Sequence, residues 1–185
     1  RRILDVATGT GDLAIALARR IRDVQVMGVD LSEEMLAVAR RKVEARGLDS
    51  RIVLERGDAE HLEVADASVD AATVAFGVRN FGDLAAGLCE LARTIRPGGK
   101  VVILEFSRPR NRVFRALYEF YSYKILPRIG GLVSRDKRAY EYLPASVGEF
   151  PAPAEFLGMM EKAGFRNCRA KSQSCGIAQI YIGER

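Results

Sequence analysis

Asp5-Val6-Ala7-Thr8-Gly9-Thr10-Gly11-Asp12 continues an apolar run that begins at Ile3. Residues 3–7 read as a short buried strand that runs into a glycine-rich turn. Residues 12–20 place Leu13, Ala16 and Leu17 at helical spacing, so the turn opens a helix. Glycine accepts the backbone of a tight turn and lets a ligand come close to the main chain. The start of the helix offers free N–H groups at the same place. A strand, turn and helix in this order point to a parallel α/β sheet, and the rest of the chain agrees.

Residues 24–29 form the next strand. Ser32 caps a helix with Glu33 and Glu34 in its first turn, where acids suit the helix dipole. Met35, Leu36, Ala39 and Val43 are its apolar stripe, and Gly47 closes it. Residues 51–56 are a third strand. Residues 69–76 are a fourth, almost continuously apolar and therefore central. A helix over 84–95, an Arg96-Pro97-Gly98-Gly99 turn and a strand over 101–106 follow. This alternation predicts parallel strands with right-handed crossovers.

After Ser107 the rhythm breaks. Residues 109–150 read as a helical insertion, punctuated by Pro127, Gly130, Gly131 and Pro144. The expectation is that it covers the carboxyl ends of the strands, where open α/β sheets bind ligands. A helix over 154–163, stopped by Gly164, precedes two strands over 166–171 and 177–183 that pair antiparallel. The chain reads as one domain over 1–185.

The 185 residues are 48% hydrophobic and 29% charged, the balance of an ordinary globular protein. No apolar run approaches the roughly 20 residues that a membrane span needs. There is no signal-peptide pattern, and the abrupt start at Arg1-Arg2-Ile3 suggests a piece of a longer domain. Three cysteines without CxxC spacing read as reduced thiols, and with a single histidine no metal centre is expected. The net charge of +5 is unevenly spread. Arg108, Arg110, Arg112, Arg115, Lys124, Arg128, Arg135, Lys137 and Arg138 lie among aromatic residues, against only Glu119 and Asp136. That run suits an anionic membrane surface or a nucleic acid, and its simplest reading is a solvated helix face.

Gly9-x-Gly11-x-x-Ala14, with Asp30 about 20 residues on, fits a nicotinamide dinucleotide as well as S-adenosylmethionine (SAM). Three further features favour SAM. Asp5 would repel a pyrophosphate but suits the ammonium of a methionine moiety, directly or through water. Asp58, in Gly57-Asp58-Ala59-Glu60, is placed to accept from an adenine amino group, with Ala59 against the ring. Arg96-Pro97-Gly98-Gly99 leads into the fifth strand, and the sheet closes with a helix and two strands. Together these resemble the class I SAM-dependent methyltransferases, a Rossmann-like fold with a mostly parallel seven-stranded sheet, helices on both faces and a C-terminal antiparallel strand.

Three longer stretches narrow the resemblance. These are Phe76-Gly-Val-Arg-Asn-Phe81, Leu104-Glu-Phe-Ser107, and the run from Tyr121-Ser through Leu126-Pro-Arg-Ile-Gly and Tyr140-Glu-Tyr-Leu-Pro144 to Phe150-Pro151. They resemble the UbiE/MenG family, the C-methyltransferases of menaquinone and ubiquinone biosynthesis. The resemblance implies that SAM methylates a ring carbon of demethylmenaquinol or of a related polyprenyl benzoquinol. Thr10, Asp30, Asp58 and Ala59 match SAM-contacting positions of the family. Ala75 departs where some members carry serine, His61 where a small apolar residue is expected, and Glu63 where proline is usual. The family's N-terminal segment, which helps cover the cofactor, is absent from the sequence, so an incomplete wall is expected. Residues and resemblance together give a cofactor set of Asp5, Thr8, Gly9, Thr10, Gly11, Asp30, Leu31, Met35, Asp58, Ala59, Ala75 and Phe76.

Carbon is a poor nucleophile, so the acceptor is expected to be the reduced quinol, whose deprotonation enriches the ortho carbon. Arg79 and Asn80 follow the fourth strand at the carboxyl edge. Arg79 is expected to lower the phenol's pKa by its charge and Asn80 to hydrogen-bond a ring oxygen. The plain alternative pairs Arg79 with a structural carboxylate. Tyr140, Tyr142 and Asp136 are further candidates for ring contact or proton relay, and His61 is assigned to the surface. Tyr118, Tyr121, Ile125, Leu126, Ile129 and Leu132 suit a prenyl tail, or equally the packing of the insertion or a homodimer face. The expected setting is cytoplasmic, peripheral at the inner face of the cytoplasmic membrane, with no nucleic-acid partner. Rival readings are another acceptor such as a small aromatic or RNA, a nicotinamide-dependent reductase, and a non-catalytic scaffold of quinone biosynthesis.

Overall fold

The computed structural model describes residues 1–107 and 150–185. Seven strands form one sheet in the order β3-β2-β1-β4-β5-β7-β6. They are β1 (Arg2–Val6), β2 (Gln25–Asp30), β3 (Ile52–Arg56), β4 (Val69–Ala75), β5 (Ile95–Phe106), β6 (Arg166–Gln173) and β7 (Ala178–Glu184). The first five run parallel, and β7 enters antiparallel between β5 and β6. The apolar fourth strand is the middle one of the sheet, as its composition predicts.

Helices α1 (Asp12–Arg20) and α2 (Glu33–Glu44) press Ala14, Ile15, Ala18 and Val43 onto Ile3, Val24, Val26 and Ile52. Leu4 and Val6, of opposite parity on β1, join a second core with residues of α3 (Leu84–Thr94) and α4 (Pro153–Lys162). Period-two alternation on the central strands therefore puts helices on both faces. Each fully buried Leu, Ile or Phe in these layers contributes roughly 1.5–3 kcal/mol.

Local signals set most boundaries. Ser32 Oγ accepts the N–H of Met35, capping α2. At its other end the Leu48 N–H reaches the Val43 carbonyl and the Gly47 N–H reaches the Glu44 carbonyl, with Gly47 at φ 62°. That is a Schellman motif, and Leu48 packs in the same cluster as Val43. Asp83 caps α3 by accepting from Ala85 and Ala86.

One boundary differs. Residues 96–99, expected as a turn ahead of the fifth strand, are a bulge inside β5. Ile95 is paired with Val69, and Lys100 with Ala71. Gly98 sits at φ 79° and its N–H donates to the Arg185 carbonyl at 2.7 Å, while the Arg185 N–H donates to Gly99. The chain's last residue thus holds the excursion in line.

Candidate functional site

Chain order leaves β1 outward through β2 and β3, then returns to its other side with β4. Such a reversal opens a crevice at the carboxyl ends of the strands. A cavity of about 520 Å³ lies there, within the range of small-ligand sites. Its walls come from the ends of β1 and β2, the segment after β3, and the turn after β4.

The floor is built from two adjacent turns under strain. Ala7 after β1 and Phe76 after β4 both hold left-handed backbone, at φ 54° and 56°. Non-glycine residues adopt this region at a cost of about 1–2 kcal/mol, and such strain collects at functional sites. The turns press together so closely that a Cβ on Gly77 would stand 2.3 Å from Ala7 Cβ. Across the crevice Gly9 faces open space, so its bare backbone is what a ligand would meet.

Asp30 ties the second wall to the first. Its Oδ2 accepts from the Gly9 N–H at 2.7 Å and its Oδ1 from the Ser32 N–H at 2.9 Å. Each oxygen keeps acceptor capacity for a ligand hydroxyl. Leu31 and Met35 beside it are unusually exposed for their size, at 60% and 46%, and both line the cavity. Asp58 turns its Oδ1 to the Glu60 N–H, while Ala59 is buried against the core.

Asp5 sits behind the wall. It is 1% exposed and does not line the cavity. Its two oxygens accept from Thr8 Oγ1 and Thr73 Oγ1, both at 2.6 Å. Burial pushes its carboxyl up to about 6, against the pull of the Thr73 and Thr8 hydroxyls and with a small push from Asp30. Thr8, which does line the cavity, is the residue through which Asp5 reaches the site. Thr10 and Gly11 also stand outside the lining. Thr10 accepts from Lys42 and donates to Asp12 on the surface, and Gly11 gives room for Ala39 of α2.

On the far wall Phe76, Asn80, Phe81 and Gly82 face the cavity together with Ala75. Arg79 does not. Its Nη1 donates to Glu105 Oε1 at 2.8 Å and to the Phe76 carbonyl, and its guanidinium lies over Phe106, 5.5 Å from the ring centre. The charge expected to face a phenol is thus bound to a buried carboxylate, the arrangement weighed as its alternative. His61 is exposed, as assigned. Tyr140, Tyr142 and Asp136 lie outside the described residues, as do the basic run and the insertion up to residue 149. Among the described residues no cluster could hold a metal and no helix is long and apolar enough to cross a membrane. Sequence reading missed Glu60, Phe81 and Gly82 as wall residues. A signal for Glu60 existed in Asp83, a helix cap with no glutamate three residues on.

The crevice fits SAM in kind. Carboxylates at Asp30 and Asp58 suit ribose hydroxyls and an adenine amino group, Leu31 and Met35 offer apolar faces for a ring, and Gly9 offers bare backbone. The same fold occurs in a SAM-dependent methyltransferase from Aquifex aeolicus, with TM-score 0.72 and 20% identity over 100% of this chain and 82% of that one. It occurs also in the phosphoethanolamine N-methyltransferase 2 of Haemonchus contortus, solved with SAM, at TM-score 0.74 and 18% identity over 100% and 48%. The fold is that of the class I SAM-dependent methyltransferases.

The sequence profile of the ubiE/COQ5 methyltransferase family matches residues 1–185. Over the same 185 residues the chain is 48% identical to the ubiquinone/menaquinone biosynthesis C-methyltransferase UbiE of Geobacter sulfurreducens, covering 100% of this chain and 72% of that protein. It is 47% identical to the demethylmenaquinone methyltransferase of Thermus thermophilus, covering 100% and 83%. The chain belongs to the ubiE/COQ5 methyltransferase family.

Proposed function

We propose that this chain methylates a ring carbon of a reduced polyprenyl quinol, with demethylmenaquinol as the first-choice acceptor and menaquinol as the product. The observation that carries the reading is the 47% identity, across the whole chain, to a protein named demethylmenaquinone methyltransferase. A benzoquinol acceptor is the second reading, favoured by the relative named for both quinones.

SAM, when bound, supplies a methyl group activated on a sulfonium for in-line transfer. What the protein adds is mainly positioning, together with removal of the phenolic proton. Asp30 and Asp58 hold the cofactor's polar groups, with Thr8, Gly9, Leu31, Met35, Ala59 and Ala75 around them. Asp5 acts on Thr8 from behind. Phe76 and Phe81 offer apolar faces to the acceptor ring, and Asn80 hydrogen-bonds a ring oxygen. Arg79, through Glu105 and the Phe76 carbonyl, fixes the turn that carries Asn80. Tyr140, Tyr142 and Asp136 are the candidates for proton relay. The prenyl tail is assigned to the apolar side chains of 118–132. The basic residues interspersed with them in sequence suit anionic lipid headgroups, which makes the protein peripheral on the cytoplasmic membrane. A homodimer contact through the same apolar residues is the alternative to a tail groove.

The test is methylation of short-chain demethylmenaquinone supplied oxidised and reduced, with product mass as readout. Methylation of the reduced form alone is expected. Turnover on the oxidised form alone overturns the mechanism. Turnover on RNA, with salt-sensitive RNA binding, replaces the acceptor altogether.

A further inference from the structure

Glu60 bridges the two halves of the crevice. Its backbone continues the cofactor-side segment after Asp58 and Ala59, and it lines the cavity. Its carboxylate reaches across to the other wall, where Oε1 accepts the backbone N–H of Asp83 at 2.9 Å. Asp83 is the cap of α3. In a capping box the N–H of the cap residue is taken by a Glu or Gln at the third helical position. In α3 that position is Ala86, which has no acceptor to offer. Glu60 completes the box from a different loop.

The approach depends on Gly82, where an added Cβ would stand 3.1 Å from Glu60 Oε1. A second attachment holds the far end of the same segment. The Leu62 N–H donates to Glu90, and Arg93 donates to the Leu62 and Val64 carbonyls and to Asp66. Arg93 and Glu90 are themselves paired on α3. The cofactor-side segment is therefore fastened to α3 in two places. The Glu60 bond is the attachment nearer the turn that carries Phe76, Asn80 and Phe81, since Asp83 follows Phe81 by two residues.

We propose that Glu60 is a positioning residue that couples the two walls, so that filling the cofactor half orders the acceptor half. The assignment of the halves rests on the function proposed above. Coupling of this kind is reciprocal, so acceptor binding tightens cofactor binding by the same factor.

The experiment uses the full chain, Glu60→Ala and Glu60→Gln. Amide exchange of residues 76–86 is followed with and without S-adenosylhomocysteine, whose binding is measured by calorimetry. In the wild type the ligand slows exchange of this stretch. Glu60→Gln keeps an oxygen for the Asp83 N–H and keeps the slowing. Glu60→Ala loses it by about fivefold, the size of one hydrogen bond, and raises the KM for reduced quinol at saturating SAM by a similar factor. Undiminished slowing in Glu60→Ala overturns the proposal, as does Glu60→Gln behaving like Glu60→Ala. A wild type that shows the slowing, lost in Glu60→Ala, yet methylates no quinol supports the coupling and overturns the acceptor reading.

Discussion

The guanidinium of Arg79 and the carboxylate of Glu105 form an ion pair 2.8 Å apart, with side chains 10% and 0% exposed. Glu105 also accepts the backbone N–H groups of Arg79 and Phe106. The pair joins the turn after β4 to the end of β5. Removing one member of a buried pair leaves the other charge uncompensated, a loss of about 3–5 kcal/mol. Arg79→Ala is expected to lower stability by that amount in denaturant unfolding. The double variant Arg79→Met with Glu105→Met is expected to be more stable than Arg79→Ala alone, because it removes both charges. An Arg79→Ala protein of wild-type stability with lost turnover would instead return Arg79 to direct chemistry.

Asp30 holds two backbone N–H groups at once, Gly9 and Ser32. Asparagine has one acceptor oxygen and sets an amide donor against the other N–H. Hydrogen bonds to charged groups are worth about 1.5–3 kcal/mol. Asp30→Asn is therefore expected to weaken S-adenosylhomocysteine binding by about 10- to 100-fold in calorimetry. The Tm should fall less than in a core truncation, since Asp30 is only partly buried. Unchanged affinity would remove Asp30 from the cofactor site.

Features written in neighbouring residues were legible in the sequence. Ser32 caps α2 because its hydroxyl needs only Met35, and Gly47 ends it because only Val43, Glu44 and Leu48 are involved. The glycine turn, Asp30 and Asp58 follow from strand–turn–helix chemistry, and the structure brings Gly9, Asp30 and Asp58 around one cavity. What escaped depends on partners distant in sequence. The Arg96–Gly99 stretch becomes a bulge through Arg185, at the other end of the chain. Arg79 faces Glu105 through the pairing of β4 with β5, and Glu60 meets Asp83 only once the crevice has formed. Thr10 is assigned to the cofactor by family resemblance, with no partner of its own read from the sequence. In space Thr10 turns outward to Lys42 and Asp12.

Two glycines make a matched pair of predictions. A Cβ at Gly77 would lie 2.3 Å from Ala7 Cβ, between the two strained turns of the cavity floor. Gly77→Ala must push those turns apart, at about 1–3 kcal/mol by analogy with overpacked cores. Its S-adenosylhomocysteine affinity is expected to fall more steeply than its stability. Gly158 lies inside α4, where a Cβ meets nothing within 4 Å. Gly158→Ala is expected to raise stability by roughly 0.5–1 kcal/mol through helix propensity, with ligand affinity unchanged. Thermal unfolding and calorimetry on both variants decide. Equal effects on affinity would contradict the assignment of the floor to Gly77.

Asp5 predicts how stability responds to acid. Burial raises its folded carboxyl from 3.8 to about 6, so the folded chain holds a proton that the unfolded chain has released. A raised carboxyl contributes stability that is complete below about pH 3.8 and is lost as pH rises through about 6. Over that window the contribution of this one group changes by about 3 kcal/mol. Asp12, Asp70 and Glu90 are lowered by their partners and act oppositely, losing their contributions in stronger acid. Comparison with Asp5→Asn isolates Asp5, because the amide cannot titrate while its oxygen still accepts from a threonine hydroxyl. Between pH 7 and pH 4.5 the wild type is expected to gain stability relative to Asp5→Asn, measured as the difference of denaturant midpoints at each pH. A constant difference across that range would mean that Asp5 titrates in the folded chain as it does in the unfolded one, and that Thr8 and Thr73 offset its burial in full.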